Sequence, residues 1–334
     1  MQERFDQRLR AIPGSALHAV VLRTAQAEAF RGWWEGTGKP SGPMRDRILA
    51  ETAAESARSA TRLATRAAQA EEAGYAETLR AVYEGYAEMP PGEDRVRALH
   101  AGIFRKSPEI RHQAGKYKTA SAESAFVRWG VEPVALRAPG PLLVPAQMET
   151  LSAWFASRIG GEEFHPLLVA AAYLLEFLAI RPFAEGNHRT GRLLMNLLLM
   201  RCGHTCMPYA SLDRAVSGEW TEYHLALRRS QASRNLPRPD ISPYLVSFLD
   251  VLLLQQRAAR ETLGRQACEA KLSRNQAAVL AIAARDGEVT NRKAAAEVGM
   301  PRETAKQTLN RLSALGALRR MGFGRATRYR LPDR

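Results

Sequence analysis

The chain has 334 residues, 46% of them hydrophobic and 25% charged, which is enough for two or three domains with cores of their own. Its net charge is +14 and aromatic residues make up only 7%, a balance that favours helices over extended sheet. No run of about 18 apolar residues is free of charge, residues 1–10 are charged throughout and resemble no secretory leader, and three cysteines are too few for a disulfide framework. A membrane span and a disulfide-stapled scaffold are therefore excluded, and a cytoplasmic protein without a membrane partner is expected.

The elements follow in chain order. Apolar and small residues recur at helical spacing over 16–34 and 44–70, separated by the breaker Gly36-Thr37-Gly38-Lys39-Pro40. A third helix is predicted over 76–88, ending at Pro90-Pro91-Gly92, and Asp94 can cap another through His100. Residues 115–145 change texture and suit a short hairpin or extended flap around Thr119, Phe126 and Arg128. Helices resume over 147–159, 166–180, 189–202, 219–233 and 243–257; the second of these is apolar around its whole circumference and should be the buried central helix. The expected organisation is an N-terminal helical region (1–94), a core domain (95–256), a connector (257–271) and a terminal domain (272–334). Cys202, His204 and Cys206 have no paired Cys or His cluster at zinc spacing and, with Cys268, read as ordinary residues.

Between the two most apolar helices lies Arg181-Pro182-Phe183-Ala184-Glu185-Gly186-Asn187-His188-Arg189-Thr190-Gly191-Arg192. Pro182 must stop the first helix, and Gly186 and Asn187 tolerate left-handed angles, so successive N–H groups can face one concavity. That concavity opens on the next helix's N-terminus, where free N–H groups and the helix dipole favour an anion. Arg189 and Arg192, three apart, could both reach phosphate oxygens, and Glu185 could hold a Mg²⁺ that bridges them. A purely structural capping role for the same loop stays open on these residues alone.

The loop resembles the active-site motif of the Fic (Fido) family, His-x-Phe-x-Asp/Glu-Gly-Asn-Gly-Arg-x-x-Arg, matched here at Phe183, Glu185, Gly186, Asn187, Arg189 and Arg192. The likeness extends through Leu99-His100, Gly115-Lys116-Tyr117-Lys118, Glu222-Tyr223 and Asp240-Ile241-Ser242-Pro243. It implies a mainly α protein: a Fic-type helical domain with a short β flap that docks a protein target, and ATP with Mg²⁺ as cofactor for AMP transfer to protein hydroxyls. Phe183 would support the core, and Glu185, Gly186, Asn187, His188, Arg189 and Arg192 would contact the nucleotide. Two positions depart from the motif. Arg181 stands where the family has its general-base His, and a guanidinium cannot accept a proton. His188 replaces a glycine inside the nest and is a possible substitute base. The family's inhibitory helix, Ser/Thr-x-x-x-Glu-Gly/Asn, should fall around 54–60, and its Glu is absent there; a partner protein could supply one.

The terminal stretch from Arg260 to Arg334 holds 16 basic and 7 acidic residues, so +9 of the +14 is concentrated there, as in a nucleic-acid-binding domain. Ser273 and Gln276 form a capping box, Thr290 caps a second helix ended by Gly299, and Pro301 starts a third whose Leu309, Leu312 and Leu315 should pack inward. Strands over 317–320 and 326–331 would form a basic wing. The pattern resembles the winged helix that follows the Fic domain in many bacterial proteins. It implies Arg302, Thr304, Lys306, Gln307 and Arg311 at a DNA major groove, and Arg325 and Arg328 at phosphates or the minor groove. Protein contacts or dimerisation are the other use of such a domain. The leading expectation is a divergent Fic-fold, DNA-binding transcriptional regulator that binds a nucleotide or phosphate ligand, in which a homodimer could read a palindromic operator; the alternative is an active protein AMP-transferase or related nucleotide or phosphate transferase.

Overall fold

The computed structural model describes residues 2–61, 68–121, 138–236, 238–270, 272–322, 324 and 327–332. The chain divides into two compact units, residues 1–262 and 263–334. The first unit is helical: α1 (Gln2–Arg10), α2 (Gly14–Glu35), α3 (Gly42–Thr61), α4 (Ala68–Gly85), α5 (Glu93–Phe104), α6 (Val144–Arg158), α7 (Pro166–Ile180), α8 (Asn187–Arg201), α9 (Leu212–Gly218), α10 (Trp220–Ala232) and the start of α11 (Ser242–Ala270). The 1–94 helices pack into the same unit as the rest. The division between residues 262 and 263 falls within the stretch expected as a connector, 257–271, most of which belongs to α11.

α7 is the central helix, buried along almost its whole length from Leu167 to Ile180. Its one charge, Glu176, is 2% exposed and is held by Arg8 of α1 and by Arg234, whose Nη2 lies 2.9 Å from Glu176 Oε2. A carboxylate buried in this way is tolerable only because two guanidiniums face it. α1 gains a second attachment where Trp154 Nε1 donates to Asp6 at 2.8 Å.

The expected helix boundaries near residue 70 are corrected. Gly74, which reads as a gap between two helices, lies inside α4, where an added Cβ would sit 2.4 Å from the Ile103 carbonyl oxygen. The glycine permits backbone-to-backbone approach of α4 and α5 rather than a turn. Likewise α5 is preceded by Gly92 at its N-cap, and Asp94 falls in the first turn instead of capping it. Most of the expected flap, including Phe126 and Arg128, lies outside the described residues; Thr119 is exposed at its base.

The second unit contains α12 (Arg274–Asp286), α13 (Asn291–Val298), α14 (Arg302–Ala314) and an antiparallel pair, β1 (Arg319–Met321) with β2 (Arg328–Arg330), in the register Arg319↔Arg330. Ser273 and Gln276 form the reciprocal capping box, and Thr290 caps α13 by accepting from Lys293 N–H at 3.2 Å. Val279, Ile282, Val289, Leu309, Leu312, Leu318 and Tyr329 form the core. Leu315 departs from expectation: it lies one residue past α14 and is 53% exposed. Pro301 is the N-cap, one residue ahead of the first helical position.

Candidate phosphate-binding site

α7 ends at Arg181, whose N–H still bonds Phe177 C=O at 3.0 Å while its own φ is 48°. This left-handed conformation is uncommon for a residue with a β-carbon. Pro182 then prevents continuation. Gly186 has φ 73° and serves as N-cap of α8; an added Cβ would meet the Phe104 ring at 2.4 Å. Asn187, expected to share the left-handed role, is instead the first helical residue, and Arg181 takes that role at the loop's other end. The reason is visible in the Asn187 amide: Oδ1 accepts from Phe183 N–H at 3.0 Å and Nδ2 donates to Phe183 C=O at 2.8 Å, closing the loop from inside.

Two further residues hold the loop in place. Lys118 donates its N–H to Pro182 C=O at 2.9 Å and its Nζ to Ile180 C=O at 3.2 Å, so it satisfies carbonyls left open where α7 stops. His100, 2% exposed, stacks on Phe183 with ring centroids 3.8 Å apart and planes 11° from parallel. Its Nδ1 accepts from Gly115 N–H at 2.9 Å, so the proton sits on Nε2, which lies 3.2 Å from Glu185 C=O and donates to it. Burial pushes the His100 pKa down to about 4; the Glu185 carbonyl opposes this and the Arg189 charge reinforces it. The ring is therefore a neutral spacer with a fixed tautomer.

The first intrahelical bond of α8 is Thr190 N–H to Gly186 C=O at 2.9 Å. The N–H groups of Asn187, His188 and Arg189 precede it and have no helical acceptor, which leaves them for an anion. Glu185 is exposed beside them. No group of three His, Cys, Asp or Glu among the described residues could hold a metal. A Mg²⁺ that uses one carboxylate together with phosphate oxygens needs no such cluster.

The two motif arginines are each engaged by a carboxylate of this chain. Arg189 is paired with Glu71 of α4 and lies over the Phe104 ring, 4.8 Å from its centroid. Arg192 Nε lies 2.9 Å from Asp213 Oδ1, and its Nη2 donates to Ala60 C=O at 3.0 Å. Asp213 is fully buried, also accepts from Tyr75 OH at 2.8 Å, and has its pKa pushed up by burial against the pull of Arg192, Tyr75 and Ser56. Each arginine thus spends its charge on an internal carboxylate, an arrangement that a spacing of three could not reveal.

Two histidines lie beside the loop. His188, exposed, has its ring 5.2 Å from that of His224 on α10, and His224 lies 3.9 Å from Trp220. Desolvation of the ring lowers the His188 pKa, and the neighbouring His224, Arg192, Arg181 and Arg228 act in the same direction. A base so depressed is poorly matched to proton abstraction near pH 7.

The sequence of residues 90–199, from the turn before α5 to the end of α8, matches the Fic/DOC family. Residues 90–199 are a Fic/DOC domain. Its motif loop is the segment closed by Asn187 and pinned by Lys118 and His100. Similar proteins include a Protein adenylyltransferase Fic of Nematostella vectensis, 42% identical over 110 residues, covering 33% of this chain and 23% of that protein. Another of the same name in Aedes aegypti is 42% identical over 66 residues, 20% of this chain and 13% of that protein. The alignments therefore span less than a quarter of the length of these two curated relatives. Among solved structures, a Fic family protein from Desulfovibrio desulfuricans G20 shares the fold with TM-score 0.54 at 20% identity, covering 95% of this chain and 96% of that one. Fic-1 (aa134–508) from C. elegans gives TM-score 0.51 at 17% identity over 72% of this chain and 70% of that one.

Within the Fic domain and its surroundings, Phe183 is fully buried at the loop's centre, and the stretch expected to carry an inhibitory Glu does reach Arg192, through the backbone carbonyl of Ala60 instead of a side chain. Sequence reasoning missed Glu71, Asp213, Lys118, His224 and Arg228. His100 and Lys118 alone carried a signal, as part of the Leu99-His100 and Gly115-Lys116-Tyr117-Lys118 likeness.

In the second unit Arg302, Lys306, Gln307 and Arg311 are exposed on α14 and Thr304 is half-buried, while Arg325 lies outside the described residues. Arg328 meets Glu288 at 2.5 Å, and Arg330 meets the same carboxylate at 2.8 Å. No helix of the described residues is long and apolar enough to cross a membrane.

Proposed function

We propose that the chain is a DNA-binding transcriptional regulator whose Fic domain binds a nucleotide or other phosphate ligand without performing the family's usual AMP transfer. The observation that carries this is Arg181: a guanidinium in strained backbone occupies the position of the family's general base, and the only neighbouring histidine on the loop is driven away from base duty. Loss of a general base typically costs about 10² to 10⁴ in rate. The free N–H groups at the start of α8 and the exposed Glu185 still suit a phosphate with Mg²⁺, in which Glu185 would hold the ion and Asn187 to Arg189 would offer amides.

The DNA half of the reading rests on the second unit, which we take as a winged helix with α14 as the recognition helix. Its exposed residues are basic and polar, and its buried ones, Ala305, Thr308, Leu309 and Leu312, face the core. Such domains commonly read palindromic half-sites as dimers. Fluorescence anisotropy with labelled duplex should show salt-sensitive binding by the full chain that falls when Arg302 and Lys306 are both replaced by Ala; no measurable affinity at low salt would sink the proposal.

A second reading, a protein AMP-transferase or related phosphate transferase, is favoured by the similarity to the two proteins named protein adenylyltransferase Fic. Incubation with a cell lysate and either α-labelled or γ-labelled ATP separates the two. No transfer of either label is expected; transfer abolished by His188→Ala would establish the second reading.

A further inference from the structure

The two arginines that the motif reserves for phosphate are each occupied by a carboxylate of this chain, Arg189 by Glu71 and Arg192 by Asp213. A phosphate ligand that reaches the start of α8 would share those guanidiniums with Glu71 and Asp213. Further positive charge lies on Arg181, which takes the place of the motif's His, and on Arg228, outside the motif. Arg181 is half-buried, and its Nε is sealed from solvent with no hydrogen-bond partner. His188 and His224 face each other at 5.2 Å, Trp220 backs His224 at 3.9 Å, and Arg228 stands one helical turn beyond His224 on α10. No ion pair joins Arg181 or Arg228 to a carboxylate among the described residues, so two guanidiniums flank a pair of neutral imidazoles without an anion that would offset their charge.

We propose that Arg181, His188, His224 and Arg228 form an anion subsite for the phosphate of a phosphomonoester, fed by the open amides at the start of α8. The inference rests on the reading that this region binds a phosphate ligand, and it moves the point of contact from the motif arginines to the residues that replace or flank the motif. Arg181 then has a positive role: the substitution that removes the base supplies a guanidinium whose free N–H groups match phosphate oxygens. The two imidazoles are held neutral by their neighbours in the free protein. A bound dianion acts in the opposite direction and raises both pKa values.

The test is calorimetric titration of the full chain at fixed ionic strength with inorganic phosphate, with AMP, and with ATP plus Mg²⁺. Phosphate and AMP are both expected to bind, AMP the more tightly if the ester is the natural form and equally if free phosphate is. Arg181→Gln and Arg228→Gln should each weaken phosphate by about tenfold, the scale of one charged hydrogen bond, while Arg189→Gln should change it by less than about twofold. The histidine C2–H resonances of His188 and His224 should move on phosphate addition, a response that a folding defect in one variant cannot mimic. Binding of ATP that is insensitive to Arg181→Gln and Arg228→Gln but lost in Arg189→Gln would overturn the subsite and leave the ligand-binding reading intact. Absence of binding by all three probes would overturn both.

Discussion

At the scale of single residues, the motif loop is built by a few groups whose conformations leave no alternative. Gly186 combines φ 73° with a Phe104 ring that an added Cβ would strike at 2.4 Å. Gly186→Ala should therefore lose at least about 2 kcal/mol of stability, from backbone strain plus overpacking, read as a drop in melting temperature. His100 gives a pH signature. Its folded pKa is about 4 against an ordinary 6.5. Between those values the unfolded chain takes up a proton that the folded chain does not, so the contribution of neutral His100 is complete above pH 6.5 and is lost as pH falls towards 4, up to about 3 kcal/mol in all. His100→Gln should lower stability at pH 7 yet flatten the fall in melting temperature between pH 6.5 and 4.5; an unchanged slope would show that His100 is not the group responsible. The glycine was legible because its conformational need is local. The histidine's role was not, since its partners Gly115, Phe183 and Glu185 are 15, 83 and 85 residues away, and long-range pairing leaves no trace in spacing.

At the scale of elements, α7 is predicted at the bounds it has, Pro166–Ile180, because an apolar circumference closed by two prolines admits one solution. The capping box at Ser273 was legible for the same reason: its partners are three residues apart. The boundary within 44–88 was misplaced because Gly74 serves packing rather than a turn, and only the α4–α5 contact distinguishes the two uses. The strand pair shows how tertiary charge pairing alters a reading taken from composition. Arg328 and Arg330 count towards the basic total, yet Glu288 in the turn before α13 engages both. Those side chains are more than half exposed, so the pairs contribute little stability, but they withhold two charges from any external anion. Glu288→Gln should leave the melting temperature nearly unchanged while raising DNA affinity several-fold at low salt, an advantage that disappears at high salt as screening removes the difference.

At the scale of the whole molecule, the +14 charge resolves into two populations. In the second unit Asp286, Glu288 and Glu297 absorb Arg285, Lys293, Arg328 and Arg330. Arg274, Arg292, Arg302, Arg311 and Arg320 have no such acidic partner among the described residues, and Arg302 and Arg311 are both exposed on α14. If DNA is the partner, the number of these arginines that meet phosphates sets the salt dependence, because each contact releases condensed counterions and steepens the plot of log K against log salt by about 0.9. Arg302→Ala and Arg311→Ala should then each reduce the slope by about one wherever the residue meets a phosphate, and should weaken binding evenly across duplex sequences. Arg330→Ala is the informative contrast: its formal charge is identical, but Glu288 already holds it, so its slope should stay near that of the unaltered chain. Equal losses from all three would mean that net charge alone governs binding, and the distinction drawn from the ion pairs would fall. A loss confined to Arg302 and Arg311 would instead identify α14 as the element that meets the duplex, which composition and total charge cannot do.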